Sequence, residues 1–202
     1  DFEVGKTKPF NYLKKKHDAI LIATGVYKAR DLNIPGIKLS NIFPALDFLI
    51  ASNRKGLGDS VPNFDNGRLN AKKKNVVVVG GGDTAMDCVR TAVRQGAKNV
   101  KCLYRRNREN MPGSMREVLH AEEEGVEFKW LSVPINIFGN KQVDAIEVAK
   151  VKLGEPDASG RESPKILAKD TFKLKADMVI KAIGFHPEPL PKLFNHPSLQ
   201  VT

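Results

Sequence analysis

The hydrophobic and polar positions of this chain change period several times, and each change predicts an element. Residues 76–79 are an unbroken valine run, the pattern of a parallel strand covered on both faces. Three glycines, Gly80, Gly81 and Gly82, then demand a turn. After them Ala85, Met86, Val89, Ala92 and Val93 recur at helical spacing, with Asp83 or Thr84 as the N-cap and Gly96 as the stop. Residues 99–104 read as a second strand. Ser114 and Glu117 form a capping box for a helix through Glu124, Gly125 ends it, and residues 126–131 make a third strand. Residues 134–138 and 141–152 flank Gly139-Asn140 as a hairpin, with further strands near 167–174 and at 177–182. Upstream, residues 43–53 predict a helix with Pro44 near its first turn, and residues 57–69, rich in Gly, Pro, Asn and Asp, predict a loop. Two segments resemble each other, HDAILIATGV at 17–26 and ADMVIKAIGF at 176–185, each an apolar strand closing on an Ala-x-Gly turn.

This succession predicts an α/β domain: a central parallel sheet flanked by helices, with a small antiparallel meander. The spacing of Gly80, Gly82 and Ala85 adds chemistry. In a GxGxxA turn between strand and helix, the first glycine permits the turn and the second admits a pyrophosphate. The small third residue lets helix and strand pack closely. Free N–H groups and the positive dipole end of the helix would hold the phosphates. An NAD enzyme carries an acidic residue about 20 residues further on, for the ribose 2′-hydroxyl. Here Arg105 and Arg106 stand at that position. Guanidinium groups pair with a 2′-phosphate and carboxylates repel one, so the expectation is a Rossmann-like domain for NADPH. A methyltransferase also uses such a turn, but puts an acid at the end of its second strand.

Composition narrows the classes further. With 202 residues, 41% hydrophobic and 28% charged, the chain can bury a substantial core, and no apolar run approaches membrane-spanning length. The net charge of +10 suits an acidic ligand, yet aromatics are 7% of residues and none interleave with the lysine clusters at 14–16 and 72–74. No stacking platform for nucleic acid is visible. Arg105, Arg106, Arg108 and Arg116 are the group better placed for cofactor phosphates. Cys88 and Cys102 lack metal-ligand or CxxC spacing and read as small buried apolar residues. His17, His120, His186 and His196 read as structural or exposed, and residues 122–124 as a solvated helix end. No catalytic residue and no metal ligand is assigned. Hydride transfer needs alignment and exclusion of water more than acid–base groups.

The run 78–106, followed by Glu109-Asn110-Met111-Pro112-Gly113-Ser114-Met115-Arg116-Glu117-Val118, resembles the NADPH-binding region of the glutamate synthase small (beta) subunit. Dihydropyrimidine dehydrogenase and bifurcating ferredoxin-NADP oxidoreductases share the GGGDTAMD-type turn, and modules of that kind are the alternative. Met115 departs from the family, which often has a basic residue there. The resemblance implies that Gly80, Gly81, Gly82, Asp83, Thr84, Ala85, Arg105, Arg106 and Arg116 hold NADPH. It further implies that Ala23-Thr24-Gly25 and Ala182-Ile183-Gly184 are outward and return crossings between FAD and NADPH domains, the return lying near the nicotinamide. The expected layout is a crossing strand and FAD-domain remnant over 1–30, a connecting helix and loop over 31–70, the NADPH domain over 71–183, and a return segment over 184–202. FAD and iron–sulfur clusters would then belong to a longer cytoplasmic parent protein with the large (alpha) subunit as its partner, and these residues without the FAD domain would not turn over. The reading from a different class is a noncatalytic nucleotide-sensing or docking domain.

Overall fold

The computed structural model describes residues 2–156 and 160–200. In chain order the elements are α1 (Phe10–Lys16), β1 (Lys28–Ala29), β2 (Ile42–Pro44), α2 (Ala45–Gly56), α3 (Pro62–Asp65), β3 (Asn75–Val79), α4 (Asp83–Arg94) and β4 (Asn99–Leu103). There follow α5 (Met115–Glu123), β5 (Glu127–Lys129), β6 (Ser132–Gly139), β7 (Val143–Pro156), β8 (Glu162–Lys175), β9 (Met178–Lys181), β10 (Phe185–His186) and α6 (Leu190–Leu193). The chain divides into two compact units, Arg30–Gly184 and Asp1–Ala29 with Phe185–Thr202.

In the larger unit a five-stranded parallel sheet has the order β2-β9-β3-β4-β5. Alternation along β3 sends Val76 and Val78 to one face and Val77 and Val79 to the other, and all four are buried. The first face packs on α2, α4 and α5 through Phe48, Met86, Val89 and Val118. The second packs on the antiparallel sheet β6-β7-β8 through Ile137, Ile146, Val148 and Leu174. Both faces of β3 are thus covered, which is why the valine run shows no polar alternation. Each fully buried valine contributes about 1.5 kcal/mol or more by burial alone. The expected meander takes the place of a second helical layer.

Several boundaries differ from the sequence reading. Phe43 lies in β2, not in a helix: Ile42, Phe43 and Pro44 pair with Val179, Ile180 and Lys181. Pro44 is extended (φ −61°, ψ 147°) and caps α2, an arrangement an edge strand tolerates because proline needs no ladder donor. Residues 31–70 therefore give a strand and helices to the same unit as 71–183, and the predicted loop contains α3. The third strand shortens to Glu127–Lys129, and β8 starts earlier than expected, at Glu162. Gly82, not Asp83 or Thr84, is the N-cap of α4. Ser114 does cap α5, but without a side-chain bond, because Glu117 turns to Arg90 and His120 and completes no capping box.

The predicted strand at 17–26 does not form. Residues 19–27 carry no ladder, and Leu21 is 91% exposed. A strand requires a neighbour for its N–H and C=O groups, and this segment has none among the described residues. The rest of the smaller unit consists of α1, α6 and the antiparallel pair β1-β10, with the Phe10 and Phe194 rings stacked at 5.5 Å.

Candidate dinucleotide-binding site

Strand order reverses between β9 and β3. From β3 the chain moves through α4 to β4 on one side, and it returns from β8 to β9 on the other. The carboxyl ends of strands at such a reversal form the crevice in which open α/β sheets bind ligands. Two of the predicted segments meet there. The Ala182 N–H donates to the Val79 carbonyl at 2.8 Å, and the Gly80 N–H to the Leu103 carbonyl at 3.0 Å.

The three glycines are required for different reasons. A Cβ on Gly80 would lie 2.1 Å from the Ala182 carbonyl oxygen, and its φ of +148° already disfavours any other residue. A Cβ on Gly81 would lie 2.3 Å from the Tyr104 ring. Gly82 is unlike both: its φ is −92°, and no described protein atom lies within 4 Å of where its Cβ would stand. Neither backbone strain nor internal packing demands glycine at 82. That open space fronts the start of α4, whose first N–H groups have no partner within the helix. A pyrophosphate fits those donors and that clearance. Ala85 is fully buried, as close helix–strand packing requires, and the part-buried Thr84 shares the first turn.

The segment after β4 folds back onto this turn. The Gly113 N–H donates to the Gly81 carbonyl at 3.0 Å, the Ser114 N–H to Asp83 Oδ1 at 2.9 Å, and the Tyr104 hydroxyl to the Asn110 carbonyl at 2.8 Å. Cys102 donates its thiol to the Gly80 carbonyl at 3.3 Å, and burial pushes that thiol's pKa up to about 12, keeping it a donor. Tyr104, Cys102, Gly113 and Ser114 therefore build the site without appearing in the sequence-based set. The Met-Pro-Gly-Ser run was the available signal, but nothing local reveals that it contacts a turn some 30 residues earlier.

The basic residues separate. Arg105 is exposed at the end of β4, and Arg116 is exposed in the first turn of α5. Arg106 is 1% exposed, and its Nε donates to the Glu162 carbonyl at 2.6 Å. Arg108 pairs in bidentate fashion with Glu122 at 3.0 and 2.9 Å. The expected cluster of four thus becomes two exposed guanidinium groups, one buried and one held by a carboxylate. Arg105 and Arg106 both lie in the bend beyond β4, where the Glu162 carbonyl receives the buried one. Burial, together with Asp83 and Glu117, holds the Asp87 carboxyl above its ordinary range. At the other side of the crevice, Ile183 is part-buried, Gly184 is exposed with φ +89°, and the Lys181 ammonium pairs with Asp31.

Cys88 and Cys102 are both buried and free. Among the described residues no group of His, Cys, Asp and Glu is arranged to hold a metal ion, and no helix is long and apolar enough to cross a membrane.

The sequence profile of the pyridine nucleotide-disulphide oxidoreductase family matches residues 2–198. A glutamate synthase [NADPH] small chain from Azospirillum brasilense is 56% identical over 202 residues, 100% of this chain and 42% of that protein. Its counterpart from Escherichia coli K12 is 43% identical over 196 residues, 96% of this chain and 41% of that protein. This chain therefore spans about two fifths of the length of these relatives. Among solved structures, Mycobacterium tuberculosis FprA in complex with NADPH superimposes with a TM-score of 0.72 at 20% identity, covering 93% of this chain and 54% of that one. That likeness concerns the fold.

Proposed function

The chain belongs to the pyridine nucleotide-disulphide oxidoreductase family, and on that premise we propose that the crevice between β3 and β9 binds NADPH as the electron-input site of a flavin-dependent oxidoreductase. The observation that carries the proposal is Gly82, a glycine required by neither strain nor packing, set before the start of a twelve-residue helix. In this reading the turn Gly80-Gly81-Gly82 and the first turn of α4, with Asp83, Thr84 and Ala85, cradle the pyrophosphate. Arg105, with the exposed Arg116 of the first turn of α5, meets the 2′-phosphate. Ala182, Ile183 and Gly184 border the nicotinamide end. Bound NADPH supplies a hydride, and a flavin accepts it. The chain's own residues bind and orient the cofactor and keep water from its reactive end.

The relatives' names support a finer statement. We propose that the parent protein is a glutamate synthase small subunit that feeds electrons through FAD and iron–sulfur clusters to a large subunit. There, glutamine and 2-oxoglutarate become glutamate. The apolar run at 19–22, which has no ladder partner among the described residues, fits a sheet completed by a flavin-binding portion.

The test is calorimetric titration of the chain with NADPH and NADH at fixed moderate salt. NADPH is expected to bind at least tenfold tighter, about 1.4 kcal/mol. Arg105→Glu should remove most of that difference while leaving NADH unchanged, and Gly82→Ala should weaken both cofactors in a folded protein. Binding of neither cofactor to the unaltered chain would overturn the reading.

A further inference from the structure

The buried Arg106 and the first residue of β8 form a latch across the larger unit. Arg106 Nε donates to the Glu162 backbone carbonyl at 2.6 Å. The Glu162 side chain reaches the same segment from the opposite direction, its Oε2 accepting from Asn110 Nδ2 at 2.9 Å. Asn110 is also the residue whose carbonyl takes the Tyr104 hydroxyl, and its N–H and Nδ2 both donate to Asn107 Oδ1, at 3.2 and 2.7 Å. The segment 105–113 is thereby tied at four places: to β8 through Glu162, to α5 through Arg108 and Glu122, to the glycine turn through Gly113 and Gly81, and to Leu131, whose N–H donates to the Arg106 carbonyl at 3.1 Å. Only the first tie comes from the antiparallel sheet.

We infer that Glu162 is a positioning residue for 2′-phosphate recognition: through Asn110 it fixes the segment that carries Arg105, and so sets the preference for NADPH over NADH. The inference rests on the proposed NADPH site. Its physical basis is preorganisation. An exposed arginine on a mobile segment loses backbone and side-chain freedom when it clasps a phosphate, whereas one on a fixed segment has already lost the backbone part. The pyrophosphate cradle keeps its own ties to the segment, from Gly113 to Gly81 and from Ser114 to Asp83, and these do not pass through the Glu162–Asn110 contact. Loss of the latch should therefore act on one cofactor and spare the other.

The experiment compares the 202-residue chain with its Glu162→Ala, Glu162→Gln and Asn110→Ala variants, titrating each with NADPH and NADH and recording urea unfolding in parallel. Glu162→Ala should weaken NADPH about fivefold, the effect of losing one ordinary hydrogen bond, with NADH changed less than about twofold. Glu162→Gln keeps an acceptor for Asn110 and should retain the NADPH preference. Asn110→Ala, which also loses the side-chain bond to Asn107, should weaken NADPH at least as much as Glu162→Ala, and the double variant should be no worse than Asn110→Ala alone, because both remove the Glu162–Asn110 contact. Equal weakening of both cofactors, or an unchanged NADPH-to-NADH ratio in Glu162→Ala, overturns the latch. If the unaltered chain binds NADPH tightly in that case, the proposed site stands without it. If the unaltered chain binds neither cofactor, the proposed function itself fails.

Discussion

HDAILIATGV and ADMVIKAIGF share a pattern and meet different fates. In the second, Met178, Val179 and Ile180 are fully buried in β9, between β2 and β3, and Ala182 abuts Gly80. In the first, Ile20 and Ile22 are only part-buried, Leu21 is almost wholly exposed, and no strand forms. The residue types are equally suited to a strand. What differs is supply of partners: β9 exchanges hydrogen bonds on both edges, and the 19–27 segment has no ladder among the described residues. An apolar run states a capacity for burial, and its neighbours decide whether the capacity is used.

The largest expected contrast is in amide hydrogen exchange. Amides of β9 such as Val179, bonded to the Asn41 carbonyl at 2.9 Å, should exchange at least about a thousandfold more slowly than those of residues 20–22. Comparable rates would erase the distinction. Next, Ile180→Asp buries a charge in the core and should cost about 4 kcal/mol or prevent folding, whereas Leu21→Asp should change stability by less than about 0.5 kcal/mol, both read from urea midpoints. The glycine turns sharpen the contrast. Gly80→Ala should cost about 3 kcal/mol, since its Cβ would strike the Ala182 backbone. Gly25→Ala, whose Cβ meets only the movable Tyr27 ring at 3.2 Å, should cost about 1 kcal/mol for its left-handed backbone.

The smallest effect concerns the end of β9. A hydrogen bond from Lys181 holds the Asp31 carboxyl below its ordinary range, against a lesser opposing effect of burial. A carboxyl whose folded pKa is lowered stabilises the protein above its unfolded pKa and loses that contribution as pH falls through the lowered value. Asp31→Asn should therefore reduce stability at pH 7 and lose its effect in acid. Asp31 is largely exposed, so screening keeps the difference under about 0.5 kcal/mol. An effect that persists undiminished in acid would exclude the ion pair as its cause.

Much of the candidate site was legible in local pattern. Valine run, glycine spacing and amphipathic helix lie within some 20 residues of one another, and strand, turn and helix are set by interactions of that range. Assignment of individual side chains was less legible. Arg105 and Arg106 look interchangeable in the sequence, yet the bend after β4 leaves one exposed and buries the other against Glu162, more than 50 residues away. Gly80, Gly81 and Gly82 look alike as well. Only the positions of Ala182 and Tyr104 separate two glycines required by packing from one that leaves space for a ligand.

By itself, then, the sequence determined the class of fold, the location of the glycine turn between strand and helix and the basic character of the segment after the next strand, because periodicity, glycine geometry and charge act locally. Tertiary structure decided which face of the sheet the meander covers, which apolar segment becomes a strand, which arginine remains exposed and which is buried against Glu162. Those outcomes depend on which elements become neighbours, and hydrogen-bond partners, burial and chain reversal are properties of that arrangement and not of any one segment.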